Sequence, residues 1–187
     1  MNLKFRHAKR RDLPEIARML ADDFLGATRE RYENPLPESY VKAFEEIEAD
    51  KNNELIVALL SEPPALAGGL GDNQKSSNLR QKPSAYADGS DKADKTEKIV
   101  GTMQITFTPS ISFQGGKRAT VESVRVDAQF RGQGFGKELM KWAIERVREE
   151  NCFAIQLTTN AERKDAHRFY EDLGFKGSHL GMKLYLK

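Results

Sequence analysis

The chain has one cysteine in 187 residues, so no disulfide can close within it, and a reducing compartment suits it. Histidine is nearly as scarce. His7 and His179 have no second ligand at metal spacing, and His167 belongs to a helical pattern, so no metal site is expected. An excess of either charge is also missing. The 30 basic and 28 acidic residues leave a formal net charge of +2, and such a balance gives no electrostatic footprint for nucleic acid. Long apolar runs are absent as well. "LIVALL" at 55–60 is far too short to cross a bilayer, and "MNLKFRHAKRRDL" has no apolar core of a signal peptide. These absences describe a cytoplasmic protein that partners neither membrane nor nucleic acid.

What is present suits a single domain over 1–187, with 39% hydrophobic and 31% charged residues. "LKFRHAK" reads as a short strand. Leu13, Ile16, Ala17 and Leu20 then recur at helical spacing, with Asp12 as N-cap and Glu15 completing a capping box. "PESYVKAFEEIEA" is a second helix and "ELIVALL" a buried strand. From 62 to 97 the chain carries one aromatic residue among repeated Gly, Pro and mixed charge, which cannot offset its ordering entropy. That stretch reads as a mobile insertion between two strands.

Order returns with "KIVGTMQITFTP". There Ile99, Met103, Ile105 and Phe107 alternate with polar or outward positions. "FQGGK" makes a hairpin turn and "RATVESVRV" the next strand. Helix "GKELMKWAIERVREE" follows, with Leu139, Met140, Ala143, Ile144 and Val147 as its apolar stripe. "CFAIQLTT" is a strand and "KDAHRFYEDLGF" a short helix stopped by Gly174. The tail "KGSHLGMKLYLK" has room for one or two closing strands. The expected fold is α/β, a mixed central sheet flanked by about four helices in the order βααβββαβαβ(β).

"RGQGFGK" at 131–137 joins a strand to a helix N-terminus, where unpaired N–H groups and the helix dipole favour an anion. Gly132, Gly134 and Gly136 clear space for a phosphate, and Arg131 and Lys137 add positive charge. A plain tight turn is the alternative. A dinucleotide fold expects an acid at the end of the next strand, where "LTTN" stands. A Walker loop would need one more residue between its glycines, and Ser or Thr in place of Glu138.

The region "VESVRVDAQFRGQGFGKELMKWAIERV", followed by a strand and "AHRFYEDLGF", resembles the Gcn5-related N-acetyltransferase superfamily. Arg131-Gly132-Gln133-Gly134-Phe135-Gly136 matches its Q/R-x-x-G-x-G/A loop. Ala166, Tyr170, Gly174 and Phe175 match its A-x-x-x-Y-x-x-x-G-F motif. The resemblance covers the chain in element order outside the insertion. It implies that the loop cradles the pyrophosphate of acetyl-CoA, the cosubstrate. It implies too that the main chain of the "RATVESVRV" strand at Val124 and Val126 faces this molecule, with the Val126 N–H on the thioester oxygen where two strands splay. One position departs from the family. Many relatives carry Asn seven residues before the tyrosine; here Arg163 stands there, with Asn160 three residues earlier. Arg163 meets a phosphate or faces water.

Acetyl transfer to an amine needs a base, a donor for the thioester oxygen and an acid for the thiolate. Glu122 is the candidate base. It is expected on a face shared with Val124 and Val126, where apolar surroundings would raise its pKa; a strand acid paired with Arg118 or Arg125 is the plainer alternative. Tyr170 is the candidate acid, as in the family, against a core aromatic like Phe169. Cys152 reads as a buried, inert thiol. Acids between 22 and 50 form either a wall attracting a cationic amine or a solvated helix face. The acceptor is then a small-molecule or peptide amine, and the chain a monomer or homodimer. A sensor binding acyl-CoA without turnover is the reading from a different class.

Overall fold

The computed structural model describes residues 3–22, 26–61 and 97–186. The element order is β1 (Leu3–His7), α1 (Leu13–Ala21), α2 (Glu38–Ala49), β2 (Asn53–Ser61), β3 (Glu97–Pro109), a four-residue turn α3 (Ser112–Gly115), β4 (Lys117–Val126), α4 (Phe135–Glu149), β5 (Cys152–Leu157) and α5 (Lys164–Glu171). The five strands lie side by side in sequence order. β1 to β4 are antiparallel, and β5 runs parallel to β4. A parallel pair needs a crossover, and α4 supplies it. The expected 62–97 insertion lies outside the described residues, save Glu97, which opens β3.

β2 reads as an unbroken apolar run because both of its faces are covered. Val57 and Leu59 pack with Leu13, Ile16 and Phe44 under α1 and α2. Ile56 and Ala58 pack with Met103, Ile105, Leu139, Met140 and Ala143 under α4. Both layers are buried, and each such large side chain contributes roughly 1.5–3 kcal/mol by leaving water.

Four sequence expectations change. A register shift between Ala58 and Leu59 breaks the simple alternation in β3. Ile99 pairs with Leu59 on the α1–α2 side, and Val100 takes the place under α4. Asp12 stands at the N-cap of α1 but gives that helix no side-chain cap. Its buried carboxylate instead accepts from Arg6 and from the Lys9 N–H at 2.7 Å, while Glu15 binds Arg18. The hairpin connection is longer than "FQGGK": residues 110–116 join Pro109 to its partner Lys117, and within them Phe113 and Gln114 adopt left-handed angles beside Gly115. The closing strands do not form: 176–186 has no strand among the described residues. Gly174 does end α5, with φ +92, and the Phe175 N–H bonds back to the Tyr170 carbonyl at 3.0 Å.

Candidate active site

β4 loses its neighbour halfway. Its ladder with β5 ends at Val121 opposite Leu157, while its ladder with β3 continues to Val126 opposite Gly101. The two parallel strands therefore part, leaving a gap along Glu122–Val126. Ser123, at φ +53, marks the bulge where this happens.

Hydrogen-bond phase decides what faces the gap. The Asp127 N–H donates to the Val100 carbonyl at 3.0 Å. In an antiparallel ladder the next pair, Val126 and Gly101, must then turn its main-chain groups outward. The N–H of Val126 points to the open side, and its carbonyl on that side accepts from Arg131 Nε at 3.1 Å. Val124 presents its main chain the same way, its carbonyl accepting from Arg125 at 2.9 Å.

The bulge also moves Glu122. It pairs with Gln104, whose neighbours Met103 and Ile105 point under α4, so Glu122 lies on the opposite face. Val124 and Val126 remain on the α4 side. The apolar face expected around Glu122 is therefore absent. The carboxylate is exposed beside Gln104, Thr106 and Thr120, and among the described residues it forms no ion pair with Arg118 or Arg125.

The glycine loop continues from β4. Asp127 is buried, and its carboxylate accepts from the Gln129 N–H at 2.8 Å and from Arg18 of α1. Burial opposes its charge, yet these two donors hold its pKa below the ordinary value. Gly132 and Gly134 have φ of +75 and +87, and a Cβ on either would meet nothing within 4 Å. Glycine is needed there for backbone angle, not for space within the chain itself. Gly136 differs, because a Cβ would sit 3.5 Å from Phe169 and 3.7 Å from Val126. β4, α4 and α5 converge at that residue. Among the described residues, the N–H groups of Gly132, Gln133 and Gly134 have no acceptor, which is the arrangement that binds an anion at a helix start.

The side chains of the loop divide. Phe135 is 5% exposed and edge-on to Phe130, so only its main chain can meet a ligand. Gln133 donates to the Gln129 carbonyl at 2.8 Å. Arg131 keeps its positive charge on the loop but is engaged by the Asp22 carboxylate at 3.0 Å. Lys137 is exposed in the first turn of α4, with no partner among the described residues.

Tyr170 is half-buried among Phe169, at 5.1 Å between rings, and Phe175, at 5.8 Å. Burial raises its pKa, with Arg163 and Arg125 pulling weakly the other way, so the phenol keeps its proton at neutral pH. Val124, Val126, Phe169 and Tyr170 border one core. Arg163 is thus near Tyr170 at the start of α5, while the Asn160 side chain accepts from the Glu162 N–H at 2.9 Å and shapes the turn.

Several anchors escaped sequence reading. Asp127 could have been found as an acid two residues before a backbone donor just past a strand. Arg18 and Asp22 carry no local signal, because their partners are 109 residues away. Several acids of 22–50 are paired in place: Glu30 meets Arg29, Glu33 meets Arg31, Glu38 meets Lys42 and Glu45 meets Arg10. This favours the solvated helix face over an acidic wall. Cys152 is half-buried with its thiol pushed up by desolvation. Among the described residues no cluster of His, Cys, Asp and Glu could hold a metal, and no helix is long and apolar enough to cross a membrane.

The sequence profile of the Acetyltransferase (GNAT) family matches residues 64–175, more than half of the chain. The chain belongs to the GNAT acetyltransferase family. Over 59 residues this GNAT chain is 41% identical to aminoalkylphosphonate N-acetyltransferase of Salmonella typhimurium, spanning 32% of this chain and 38% of that protein. Over 91 residues it is 32% identical to glucosamine 6-phosphate N-acetyltransferase of Trypanosoma brucei brucei, spanning 49% of this chain and 60% of that protein. The chain thus spans less than two thirds of either relative's length. A crystal structure of a transcriptional regulator from Bacillus halodurans C-125 is 46% identical, with a TM-score of 0.76, over 99% of this chain and 100% of that one. The five-stranded mixed sheet of this GNAT chain is that of its structural neighbours.

Proposed function

We propose that the chain transfers an acetyl group from acetyl-CoA to the amine of an acceptor by direct attack in a ternary complex. The observation that carries this reading is the gap between β4 and β5. It opens beside the outward N–H of Val126 and ends at the glycine loop. A thioester laid along it would have its oxygen at Val126 and its pyrophosphate over the N–H groups of 132–134 at the start of α4. Lys137 adds charge at the same helix turn, and Arg163 supplies a second cation near Tyr170.

Three groups of the chain act on the reaction. Glu122, directly or through water, takes the proton that the acceptor's ammonium must lose before its nitrogen bonds to the carbonyl carbon. The Val126 N–H holds the oxygen on which negative charge grows. Tyr170 hands its proton to the sulfur as the carbon–sulfur bond breaks. Glu122 and Tyr170 lie on opposite faces of the sheet beside the gap, which suits attack from one side and departure toward the other. The relatives named for aminoalkylphosphonate and glucosamine 6-phosphate support a small-molecule amine as acceptor. The absence of a membrane-spanning helix among the described residues agrees with a cytoplasmic location.

A second reading has its own support: the 46% identical structure is of a transcriptional regulator, which favours a domain that binds acyl-CoA as a signal without turnover. Thiol release from acetyl-CoA, followed across small amines, aminophosphonates, amino sugars and peptides, separates the two. Turnover with any amine supports the enzyme. Tight acetyl-CoA binding without turnover across the panel supports the sensor. Gly134→Asp, which sets a carboxylate against the pyrophosphate, should abolish calorimetric binding in either case, and unchanged affinity would remove the loop from the site.

A further inference from the structure

Glu122 and Arg125 carry opposite charges on one face of β4 and do not pair with each other. Glu122 lies opposite Gln104 and Arg125 opposite Thr102, two residues apart on β3. Thr102 in turn lies opposite Val57, which packs under α1 and α2, so both charges point to that side of the sheet. The bulge at Ser123 puts them there, because strand positions three apart otherwise point to opposite faces. Two residues of strand span about 7 Å. Among the described residues Glu122 forms no ion pair.

Arg125 reaches the gap. It is half-buried, and its Nη1 donates to the gap-side carbonyl of Val124 at 2.9 Å. Burial pushes the Tyr170 phenol up, and the Arg125 charge is one of two that draw it down, so the field of this guanidinium crosses the gap. Gln104, Thr106 and Thr120, all half-buried, line the same face beside the two charges. Gln104 donates to Asn53 at 3.3 Å, and Thr120 accepts from Gln156 at 3.0 Å. Such a lining suits a small polar molecule. Arg125 precedes Val126 and the glycine loop follows it, so the guanidinium stands at the acyl end of the gap and not at the pyrophosphate seat of 132–134.

We propose that Arg125 selects the acceptor: an amine that carries an anionic group, carboxylate, phosphonate or phosphate, a few bonds from its nitrogen. The ammonium goes to Glu122 and the anion to the guanidinium, whose planar fork takes such groups with two parallel N–H bonds. The anionic group takes no part in the transfer. The nitrogen gives its proton to Glu122 and bonds to the acetyl carbon as the thiolate leaves. A diamine would set its second cation against Arg125 and is rejected by repulsion. The inference rests on the reading of the gap as the acetyl-transfer site and adds the class of acceptor.

Four probes share one spacing and differ only at the far end: β-alanine, 2-aminoethylphosphonate, ethanolamine and ethylenediamine. Each is measured twice, as kcat/KM for thiol release from acetyl-CoA and as calorimetric binding to the chain saturated with CoA. The two anionic probes should exceed ethanolamine by about 10–100-fold, the usual worth of a hydrogen bond to a charged group, with ethylenediamine last. Their own ranking tells carboxylate from phosphonate. Arg125→Gln should collapse that ratio, Arg125→Lys should keep part of it, and Arg125→Glu should turn it toward ethylenediamine. An arginine with a merely structural role would lower all four alike. Binding of the anionic probes without turnover would sink acetyl transfer and leave the selection standing. Turnover of ethanolamine as fast as of the anionic probes would do the reverse. The proposal is overturned if neither measurement shows a preference, if Arg125→Gln keeps the wild-type ratio, or if that variant loses acetyl-CoA affinity and not acceptor preference. The wild-type ratio decides even where no variant folds.

Discussion

Arg131 donates to both the carboxylate and the main-chain oxygen of Asp22 at 3.0 Å, mooring the glycine loop to the end of α1. If mooring is its role, Asp22→Asn and Arg131→Ala should weaken acetyl-CoA binding alike, several-fold by calorimetry. If the guanidinium serves the phosphate directly, Asp22→Asn should leave affinity unchanged or raise it by freeing the arginine. Both groups are more than a third exposed, so stability should change by less than about 1 kcal/mol in either variant.

The largest stability effects should come from β2 and α4. Glu54 is 5% exposed, and Arg146 binds it at 2.5 Å and 3.1 Å. Arg146→Ala strands a buried carboxylate and should cost about 3–5 kcal/mol in urea unfolding, while Glu54→Leu with Arg146→Met should recover most of it. A small loss in the single variant would mean that Glu54 simply takes up its own proton.

Acid should act through a neighbouring group. The Lys117 ammonium, and Arg146 behind it, hold the Glu150 carboxyl below its ordinary 4.5 against the effect of burial. A depressed native pKa stabilises fully above the unfolded value and is lost as pH falls through the native one. The urea midpoint should therefore decline below about pH 4.5, and Lys117→Ala should flatten that decline. An unchanged slope would assign the acid sensitivity to other carboxylates.

Elements with a single strong period were legible in the sequence. α2, α4 and β2 fall within a residue or two of their expected ends, because apolar spacing alone sets them. The glycine loop and the Tyr170 helix were legible through motif. What failed was everything depending on a partner strand. The bulge at Ser123 turned Glu122 to the other face, and the shift at Ala58 exchanged Ile99 for Val100. Asp12 looked like a cap until Arg6, six residues back and across a turn, claimed its carboxylate. The tail from Lys176 was read as room for closing strands, yet among the described residues it forms none.

Ser61 and Glu97 are partners in the β2–β3 ladder, so the chain leaves and re-enters the sheet at one place. Replacing 62–96 with a short Gly-Ser turn should keep that pairing, since closing a long loop adds little to the folding free energy. Thermal unfolding and acetyl-CoA affinity should both persist. Lost turnover in a folded variant would make the segment part of the site.

Tyr170 and Glu122 should fail differently. Tyr170→Phe keeps the ring between Phe169 and Phe175 but removes the proton. Turnover should fall about 10²–10⁴-fold with little change in acetyl-CoA affinity. Because burial raises the Tyr170 pKa, the wild-type phenol stays protonated across the neutral range, and higher pH up to its titration should not mimic the variant. Glu122→Gln keeps size and shape but cannot accept a proton. Its rate should recover in part as pH rises, because free amine then forms without help, whereas Tyr170→Phe should show no recovery, since base supplies no acid. Exposure of Glu122 on a polar face sharpens the expectation: its help must come through position beside the gap, so Glu122→Asp, one methylene shorter, should lose activity too. A Glu122→Gln rate and pH profile like wild type would move the base elsewhere or mean that the amine arrives already neutral.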